Sequence, residues 1–122
     1  MQNIKILFAD DSPELIRIFK QWAEIKGFNA KFATNGVEVL ETIKEEDIDL
    51  IVLDIDMPIL DGIRTAEEIQ KITGKSKILI LTGLGPNVQD ILPENIVDVL
   101  LKPISLKELG DKISEIALTV KE

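Results

Sequence analysis

Six side chains with chemically useful groups stand at the ends of the apolar runs in this 122-residue sequence, or just after them. They are two adjacent acids, two acids separated by one residue, a hydroxyl and an amine: Asp10, Asp11, Asp54, Asp56, Thr82 and Lys102. Three or four carboxylates in one small space repel each other and tend to stay protonated unless a cation compensates them. An all-oxygen ligand set favours a hard divalent cation, so Mg²⁺, Mn²⁺ or Ca²⁺ would suit such a group.

A carboxylate, an oxygen-ligated metal, a lysine and a hydroxyl could together hold a phosphoryl group during its transfer. The carboxylate would then be the natural nucleophile, and the product would be an acyl phosphate. Asp54 is the first candidate because it closes the apolar run at residues 50–53. An acid in that place can also simply end a strand in an Asx turn, and this stretch alone leaves both interpretations open.

Five apolar runs predict the strands that must position these side chains. They cover residues 4–9, 29–33, 50–54, 77–82 and 96–101. The unbroken runs at 50–54 and 77–82 are typical of strands that are buried on both faces. Pro58 cannot continue a ladder, so the third strand has ended before it and Asp54 lies at its carboxyl end.

Helical segments alternate with these strands. Ser12, Pro13 and Glu14 supply a cap, a proline at the first helical position and an acid in the first turn, and Gly27 ends the helix that follows. Its apolar residues cover roughly half of the helical circumference, more than the ~100° stripe that core packing needs. Further helices are expected from Gly36, from Gly62, over residues 87–92, and after Ser105.

Strands that alternate with helices predict an α/β fold with a doubly wound parallel sheet and right-handed crossovers. Five such units fit the flavodoxin-like strand order 2-1-3-4-5, with five flanking helices of which the fourth is short or irregular. We expect residues 1–122 to form one domain. Strands 1, 3, 4 and 5 are neighbours in this order, so their carboxyl ends bring all six candidate side chains to one rim.

Composition excludes several classes of function. The sequence has no cysteine and no histidine, which removes disulfides, thiolate chemistry and a histidine general base. A net charge of −8 would repel nucleic acid and anionic lipid, so we expect this chain to bind neither nucleic acid nor membrane. No apolar run approaches a signal peptide or a membrane span, and a cytoplasmic location is the default expectation.

Four segments of the sequence resemble the receiver domain of two-component response regulators, of the chemotaxis-regulator type. In chain order these are Asp10-Asp11, the run from Leu53 to Gly62, Thr82-Gly83 and Lys102-Pro103. Each segment is weak alone, but all four in this order are highly specific, and the resemblance covers the whole chain. It implies one receiver domain over residues 1–122 that accepts a phosphoryl group and regulates a protein partner or relays the group onward.

The resemblance implies a metal site and assigns its ligands. Asp11 would ligate Mg²⁺, or Mn²⁺, directly, and Asp10 would do so largely through water. Asp54 would be both a ligand and the phosphoacceptor. Asp56 would offer its backbone carbonyl to the metal, with its side chain near the water that attacks the phosphoryl group.

The resemblance also implies how the phosphoryl group is held and where it comes from. Thr82 would donate a hydrogen bond to it, and Lys102 would pair with one of its oxygens, next to a cis bond to Pro103. The donor would be a phosphohistidine on a sensor histidine kinase or phosphotransfer protein. The chain would catalyse its own phosphorylation and dephosphorylation without being a turnover enzyme.

Two features depart from the family pattern. Val99 stands where the family usually has an aromatic residue that moves inward on phosphorylation. The segment between Thr82 and Lys102 is shorter than is usual and holds two prolines. We therefore expect intact catalysis with an atypical readout. The surplus apolar width of the first helix is most simply a wide core face, and the alternative is that its edge at Ile16 and Ala23 docks a partner helix.

Two alternatives use the same residues. Asp54 and Asp56 also resemble the nucleophile and acid of haloacid-dehalogenase-like phosphatases. Pro58 displaces that family's usual next residue, and the sequence has no room for a cap domain. The other alternative is a degenerate receiver that only binds partners, and the complete acidic set argues against it.

Overall fold

The computed structural model describes residues 4–54, 62–83 and 94–120, and these ranges contain one sheet of five parallel strands. The strands are β1 (Lys5–Ala9), β2 (Asn29–Ala33), β3 (Leu50–Asp54), β4 (Lys77–Thr82) and β5 (Ile96–Leu101). Their spatial order is β2-β1-β3-β4-β5, and every neighbouring pair is parallel. The predicted doubly wound sheet and its strand order are confirmed.

Four helices flank the sheet within the described residues. They are α1 (Pro13–Lys26), α2 (Gly36–Glu45), α3 (Gly62–Ile72) and α4 (Leu106–Val120). The short fourth helix predicted over residues 87–92 lies outside the described residues, so α4 here is the predicted fifth helix. None of the helices in the described ranges has both the length and the apolar character that crossing a membrane requires.

The caps that delimit α1 follow the sequence signals. The Ser12 hydroxyl oxygen accepts a hydrogen bond from the Leu15 backbone N–H at 3.3 Å, and Pro13 occupies the first helical position. Gly27 ends the helix in a left-handed conformation with φ of 75°, which a residue without a Cβ adopts at little cost. Side-chain capping therefore fixes where α1 begins, just after the two acids that follow β1.

The core has two halves, one on each side of the sheet. One half packs α2 and α3 against the sheet through residues such as Val39 and Ile69. The other packs α1 and α4 against the opposite face through residues such as Phe19 and Ile113. All five residues of β3 are buried because helices cover both faces of this central strand. This rigid strand carries Asp54 at its carboxyl end.

Of the two interpretations of the wide apolar face of α1, the docking edge at Ile16 and Ala23 is wrong. Ile16 and Ala23 are 7% and 3% exposed, so they belong to the core. The exposed apolar residues of this helix are Ile18 and Ile25, at 43% and 82%. The surplus apolar width seen in the sequence therefore does reach the surface, but on the other edge of the helix.

Candidate functional site

Three strand ends bring acidic and hydroxyl side chains to one rim of the sheet. Asp54 is the last residue of β3, Thr82 is the last residue of β4, and Asp10 directly follows β1. All three are buried, with exposures of 2%, 0% and 1%. Residues that end neighbouring parallel strands must lie side by side, so the strand order alone dictates this grouping.

Asp10, Asp11 and Asp54 form a compact acidic cluster. One carboxylate oxygen from each of them lies within 4.8 Å of the corresponding oxygens of the other two. Asp10 and Asp54 are buried, whereas Asp11 is exposed. The cluster therefore has a closed inner side and an open outer side through which an ion or a phosphoryl donor could enter.

Asp10 is held from two directions. Its backbone N–H donates to the Ala33 carbonyl at 3.1 Å, which extends the β1–β2 pairing by one residue. Its Oδ1 accepts a hydrogen bond from the Ser12 backbone N–H at 2.9 Å. Oδ2 is buried and accepts no hydrogen bond from any described residue. One oxygen is thus fixed, and the other is turned into the cluster.

Burial raises the pKa of Asp10 above its usual range, and the negative charge of Asp54 adds to this rise. The Ser12 hydrogen bond acts against it, and so does the nearby Lys102 ammonium. Desolvation disfavours the ionised carboxylate of Asp10, so a further cation nearby would stabilise this ionised form.

Within the described residues, the positive charge next to this acidic cluster comes from Lys102. Its Nζ lies 3.2 Å from Oδ2 of Asp54 and 3.7 Å from Oδ2 of Asp10. Its backbone N–H donates to the Thr82 carbonyl at 2.7 Å, which ties the end of β5 to the end of β4. The peptide bond from Lys102 to Pro103 is cis, as predicted.

Five of the six candidate residues therefore meet at one rim: Asp10, Asp11, Asp54, Thr82 and Lys102. Asp56 lies outside the described residues, so its place in the site stays a prediction. Sequence reasoning recognised Ser12 as a helix cap but missed its contact with Asp10. An N-cap only two residues after an acid was the available signal, because such a turn brings the two groups together.

The residues present fit a divalent cation. Three carboxylates face one ammonium in this cluster, so negative charge remains in excess. The buried Oδ2 of Asp10 has no hydrogen-bond donor among the described residues, which is unusual for a buried charged oxygen. A set of oxygen ligands around such an atom suits a hard ion of the Mg²⁺ class.

An apolar groove adjoins the site on the α1 side. Its lining includes Leu15 and Ile18 of α1, Leu106 of α4, and Ile104 between β5 and α4. Lys102 also contributes to it, so this one residue faces both the acidic cluster and the apolar surface.

Comparison with known proteins identifies the family. Residues 6–114 match the model of the family described as response regulator receiver domain. The chain therefore belongs to this family, the receiver domains of two-component signalling, whose role is that of a phosphoacceptor. This match decides against the haloacid-dehalogenase-like alternative.

The chain is similar to part of longer regulators. A transcriptional regulatory protein CpxR homolog of Haemophilus influenzae is 34% identical over 114 residues, covering 92% of this chain and 49% of that protein. The chain thus spans about half the length of the curated relatives it matches. Their names describe whole proteins, so they do not define the output of this chain.

Solved structures share the fold over nearly the full length. A receiver domain from Clostridium thermocellum has a TM-score of 0.86 and 32% identity, covering 97% of both chains. The response regulator TrrA of Thermotoga maritima, in complex with Mg²⁺–BeF, has a TM-score of 0.83 and 29% identity, covering 93% of this chain and 98% of that one. TrrA has also been solved with the histidine kinase ThkA, with a TM-score of 0.81, 29% identity and coverage of 93% and 97%.

Proposed function

We propose that Asp54 is the phosphoacceptor of this receiver domain. The observation that carries the proposal is its position: a buried carboxylate at the end of the central strand, 3.2 Å from Lys102 and inside the acidic cluster. A rigid strand holds the nucleophile in place, and the open side beside Asp11 gives a donor access to it. We propose that residues 1–122 form this single domain, of which the family match spans residues 6–114.

The transfer itself needs little covalent chemistry from the protein. A carboxylate oxygen of Asp54 attacks phosphorus, and the new O–P bond forms as the P–N bond of the donor phosphohistidine breaks. The imidazole leaves with the electron pair of that bond and takes up a proton from water. Charge on the moving phosphoryl group grows while both bonds are partial, so fixed positive charge and hydrogen-bond donors lower the barrier.

The other residues at the rim have distinct roles in this proposal. Lys102 pairs with a phosphoryl oxygen, which its ammonium can reach because it already lies beside Asp54. Thr82, at the end of the neighbouring strand, donates its hydroxyl to the same group. Asp56, from its place in the sequence, orients the water that later hydrolyses the acyl phosphate.

We further propose that Asp10, Asp11 and Asp54, with the backbone carbonyl of Asp56, hold Mg²⁺, with Mn²⁺ as a substitute. A bound divalent cation would neutralise phosphoryl charge and offset the repulsion among the carboxylates. Support comes from the buried Oδ2 of Asp10 and from the Mg²⁺–BeF complex of the similar protein TrrA.

The partner we propose is a sensor histidine kinase or a phosphotransfer protein that carries the phosphohistidine. The similar protein TrrA has been solved with such a kinase. A donor must reach Asp54 from the open side, and the apolar groove beside Lys102 lies next to it. We propose that an apolar helix face of the donor packs there, against Ile18 of α1. A cytoplasmic location stays a prediction.

The test is labelling by a small acyl phosphate. The purified chain is incubated with acetyl phosphate, with and without Mg²⁺, and the modified residue is located by mass spectrometry. We expect Mg²⁺-dependent labelling of Asp54, none in Asp54→Asn, and normal labelling in Asp111→Asn, which changes an exposed acid on α4. Phosphotransfer from histidine kinases of the source organism then identifies the physiological donor.

Other results would favour the alternatives. A folded wild-type protein that is never labelled would indicate a degenerate receiver, and multiple-turnover hydrolysis of phosphomonoesters would indicate a phosphatase.

Trp22 fluorescence is a poor monitor of Mg²⁺ binding. This residue lies ten positions beyond Ser12 on α1, about 15 Å along the helix at 1.5 Å per residue, and packs against Phe8 and Phe28. Amide NMR is therefore the better measure of Mg²⁺ binding.

A further inference from the structure

Ser12 connects the first helix to the acidic cluster through two different atoms. Its backbone N–H donates to Oδ1 of Asp10 at 2.9 Å, while its side-chain oxygen accepts from the Leu15 N–H at 3.3 Å. Its carbonyl accepts the Ile16 N–H at 3.0 Å, which is the first helical hydrogen bond of α1. One residue thus ends the turn that carries Asp10 and begins the helix.

We propose that Ser12 is a positioning residue for metal binding. Its capping hydroxyl holds the turn in the conformation that keeps its own N–H on Oδ1 of Asp10 and thereby turns Oδ2 into the cluster. The inference rests on the proposed function, since it concerns the same Mg²⁺ site. It goes further by assigning part of the metal affinity to a residue that is not itself a ligand.

The geometry of Asp10 explains why this contact matters. Asp10 is 1% exposed, so water cannot replace a lost hydrogen-bond donor at little cost. Among the described residues, the Ser12 N–H donates the hydrogen bond that holds the Asp10 carboxylate, and it donates to Oδ1. Oδ2 accepts no hydrogen bond from them. If the turn loosens, the Asp10 carboxylate can rotate. Oδ1 then no longer stays on the Ser12 N–H, and Oδ2 no longer stays directed into the cluster. Residues that orient metal ligands in this way commonly change affinity about 10-fold or more.

The capping hydroxyl of Ser12 can be removed without loss of the fold. The rest of α1 is anchored by Phe19 and Trp22, which are buried in the core. Replacing an N-cap serine by alanine loosens the first turn of the helix and leaves the later turns intact. Ser12→Ala is thus expected to be a folded protein with a disturbed Asp10.

The experiment measures the Mg²⁺ dissociation constant by amide NMR titration in wild type, Ser12→Ala and Ser12→Thr. We expect roughly 10-fold weaker binding in Ser12→Ala and near-normal binding in Ser12→Thr, because threonine keeps the capping hydroxyl. The matched control is Asn35→Ala, which removes the cap of α2, where Asn35 Oδ1 accepts the Glu38 N–H at 2.9 Å. It should lower stability similarly and leave the Mg²⁺ affinity unchanged.

A metal-free readout tests the same contact. Amide hydrogen exchange at residue 12 should be faster in Ser12→Ala than in wild type, while exchange at Phe19 stays slow. Labelling by acetyl phosphate should be reduced in Ser12→Ala at low Mg²⁺ and recover at saturating Mg²⁺. Slow exchange at Phe19 without metal would show that the reduced labelling does not come from an unfolded fraction.

Two results would overturn the proposal. One is an unchanged Mg²⁺ dissociation constant in Ser12→Ala, and the other is equal weakening in Ser12→Ala and Asn35→Ala, which would indicate general destabilisation. Failure of the proposed function is distinguishable, since an unlabelled wild-type Asp54 together with the expected Ser12 effect on Mg²⁺ affinity would refute only the phosphoacceptor role.

Discussion

The ammonium of Lys102 lies 3.2 Å from Oδ2 of Asp54, although the two residues come from strands that are not adjacent. Lys102 follows β5, Asp54 ends β3, and β4 with Thr82 lies between them. The lysine side chain therefore reaches across the end of β4. This arrangement places one fixed cation over the middle of the rim, where a phosphoryl group on Asp54 would lie.

Lys102→Met should separate metal binding from phosphoryl transfer. Loss of a group that stabilises developing charge commonly slows a reaction by roughly 100-fold, and we expect this for labelling of Asp54 by acetyl phosphate. Mg²⁺ affinity should be equal or higher, because the ammonium that shares the carboxylates is gone. Labelling rates by mass spectrometry and a Mg²⁺ titration by NMR measure the two effects.

The matched control is Lys107→Met. Lys107 is an exposed lysine on α4 that pairs with Asp111 one turn away. Its replacement should change neither the labelling rate nor the Mg²⁺ affinity. A labelling rate in Lys102→Met equal to that of wild type would contradict the role assigned to this lysine.

Asp10→Asn should stabilise the metal-free protein. It removes a buried charge whose Oδ2 accepts no hydrogen bond from the described residues and which lies beside Asp54. At neutral pH the gain should be about 1–2 kcal/mol in the free energy of unfolding. Urea denaturation without Mg²⁺ measures it, and adding Mg²⁺ should stabilise wild type but not the variant.

The direction of the pH dependence follows from the raised pKa of Asp10. Between 3.8 and the raised value, the folded state binds more protons at this residue than the unfolded state, so its contribution to stability falls as pH rises. Asparagine cannot ionise, so the advantage of Asp10→Asn should be smallest below pH 3.8 and grow as pH rises through the folded pKa. Asp47→Asn, an exposed acid, is the control, and an advantage that shrinks with rising pH would refute the assignment.

Val99 should limit how far the structural change caused by phosphorylation of Asp54 extends into β5. It is half-buried, pairs with Ile80 of β4 and packs against the core half of α2 and α3. Valine lacks the reach of an aromatic ring, so a phosphoryl group on Asp54 has no large side chain here to move. With Mg²⁺ and a beryllofluoride mimic, amide shifts should change strongly near Asp54 and little across residues 96–100.

The same titration of Asp54→Asn is the control for nonspecific effects of the mimic. Val99→Tyr should extend the shift changes into β5, because it restores a side chain long enough to follow the site. Large changes throughout residues 84–100 of the wild-type chain would rule out an atypical readout.

Gly110 should be needed for the packing of Trp22. A Cβ at this position would lie 3.1 Å from Cζ2 of Trp22, which is closer than a comfortable contact. Gly110→Val adds a branched side chain to this space and should destabilise the protein by about 1–3 kcal/mol with a shift in tryptophan emission. Ser114→Val places the same branched residue at an exposed position one turn later, and it should cost much less. Because valine has a higher helix propensity than glycine, helix propensity alone would not destabilise Gly110→Val, and an unchanged or higher stability of this variant would contradict the contact with Trp22.

Much of the architecture was predictable because its signals are local. The unbroken apolar run before Asp54 predicted a buried central strand, and all five residues of β3 are buried. Ser12, Pro13 and Gly27 predicted both ends of α1. Alternation of strands and helices then limited the topology to a few orders, so all six candidate residues could be assigned to one rim. The structure places five of them there, and Asp56 lies outside the described residues.

Features that depend on packing between elements were not predictable. Which edge of α1 reaches the surface depends on how the helix is rotated against the sheet, and the docking edge suggested from the sequence, at Ile16 and Ala23, is buried. The irregular register between β4 and β5 near Ile78 and Leu79 has no local signal. The contact from Ser12 to Asp10 is different, because it is local and the spacing of the two residues was an available signal for it.

The core half beneath α1 has a consequence for how the chain folds during synthesis. It joins Phe8 and Trp22, near the start of the chain, to Leu109 and Ile113, which lie 87 to 105 residues later. A nascent chain cannot close this half of the core until α4 has left the ribosome, so these early aromatic residues lack the cover of α4 until then. Chains truncated before α4 should therefore be held by chaperones or degraded, whatever the state of the acidic cluster.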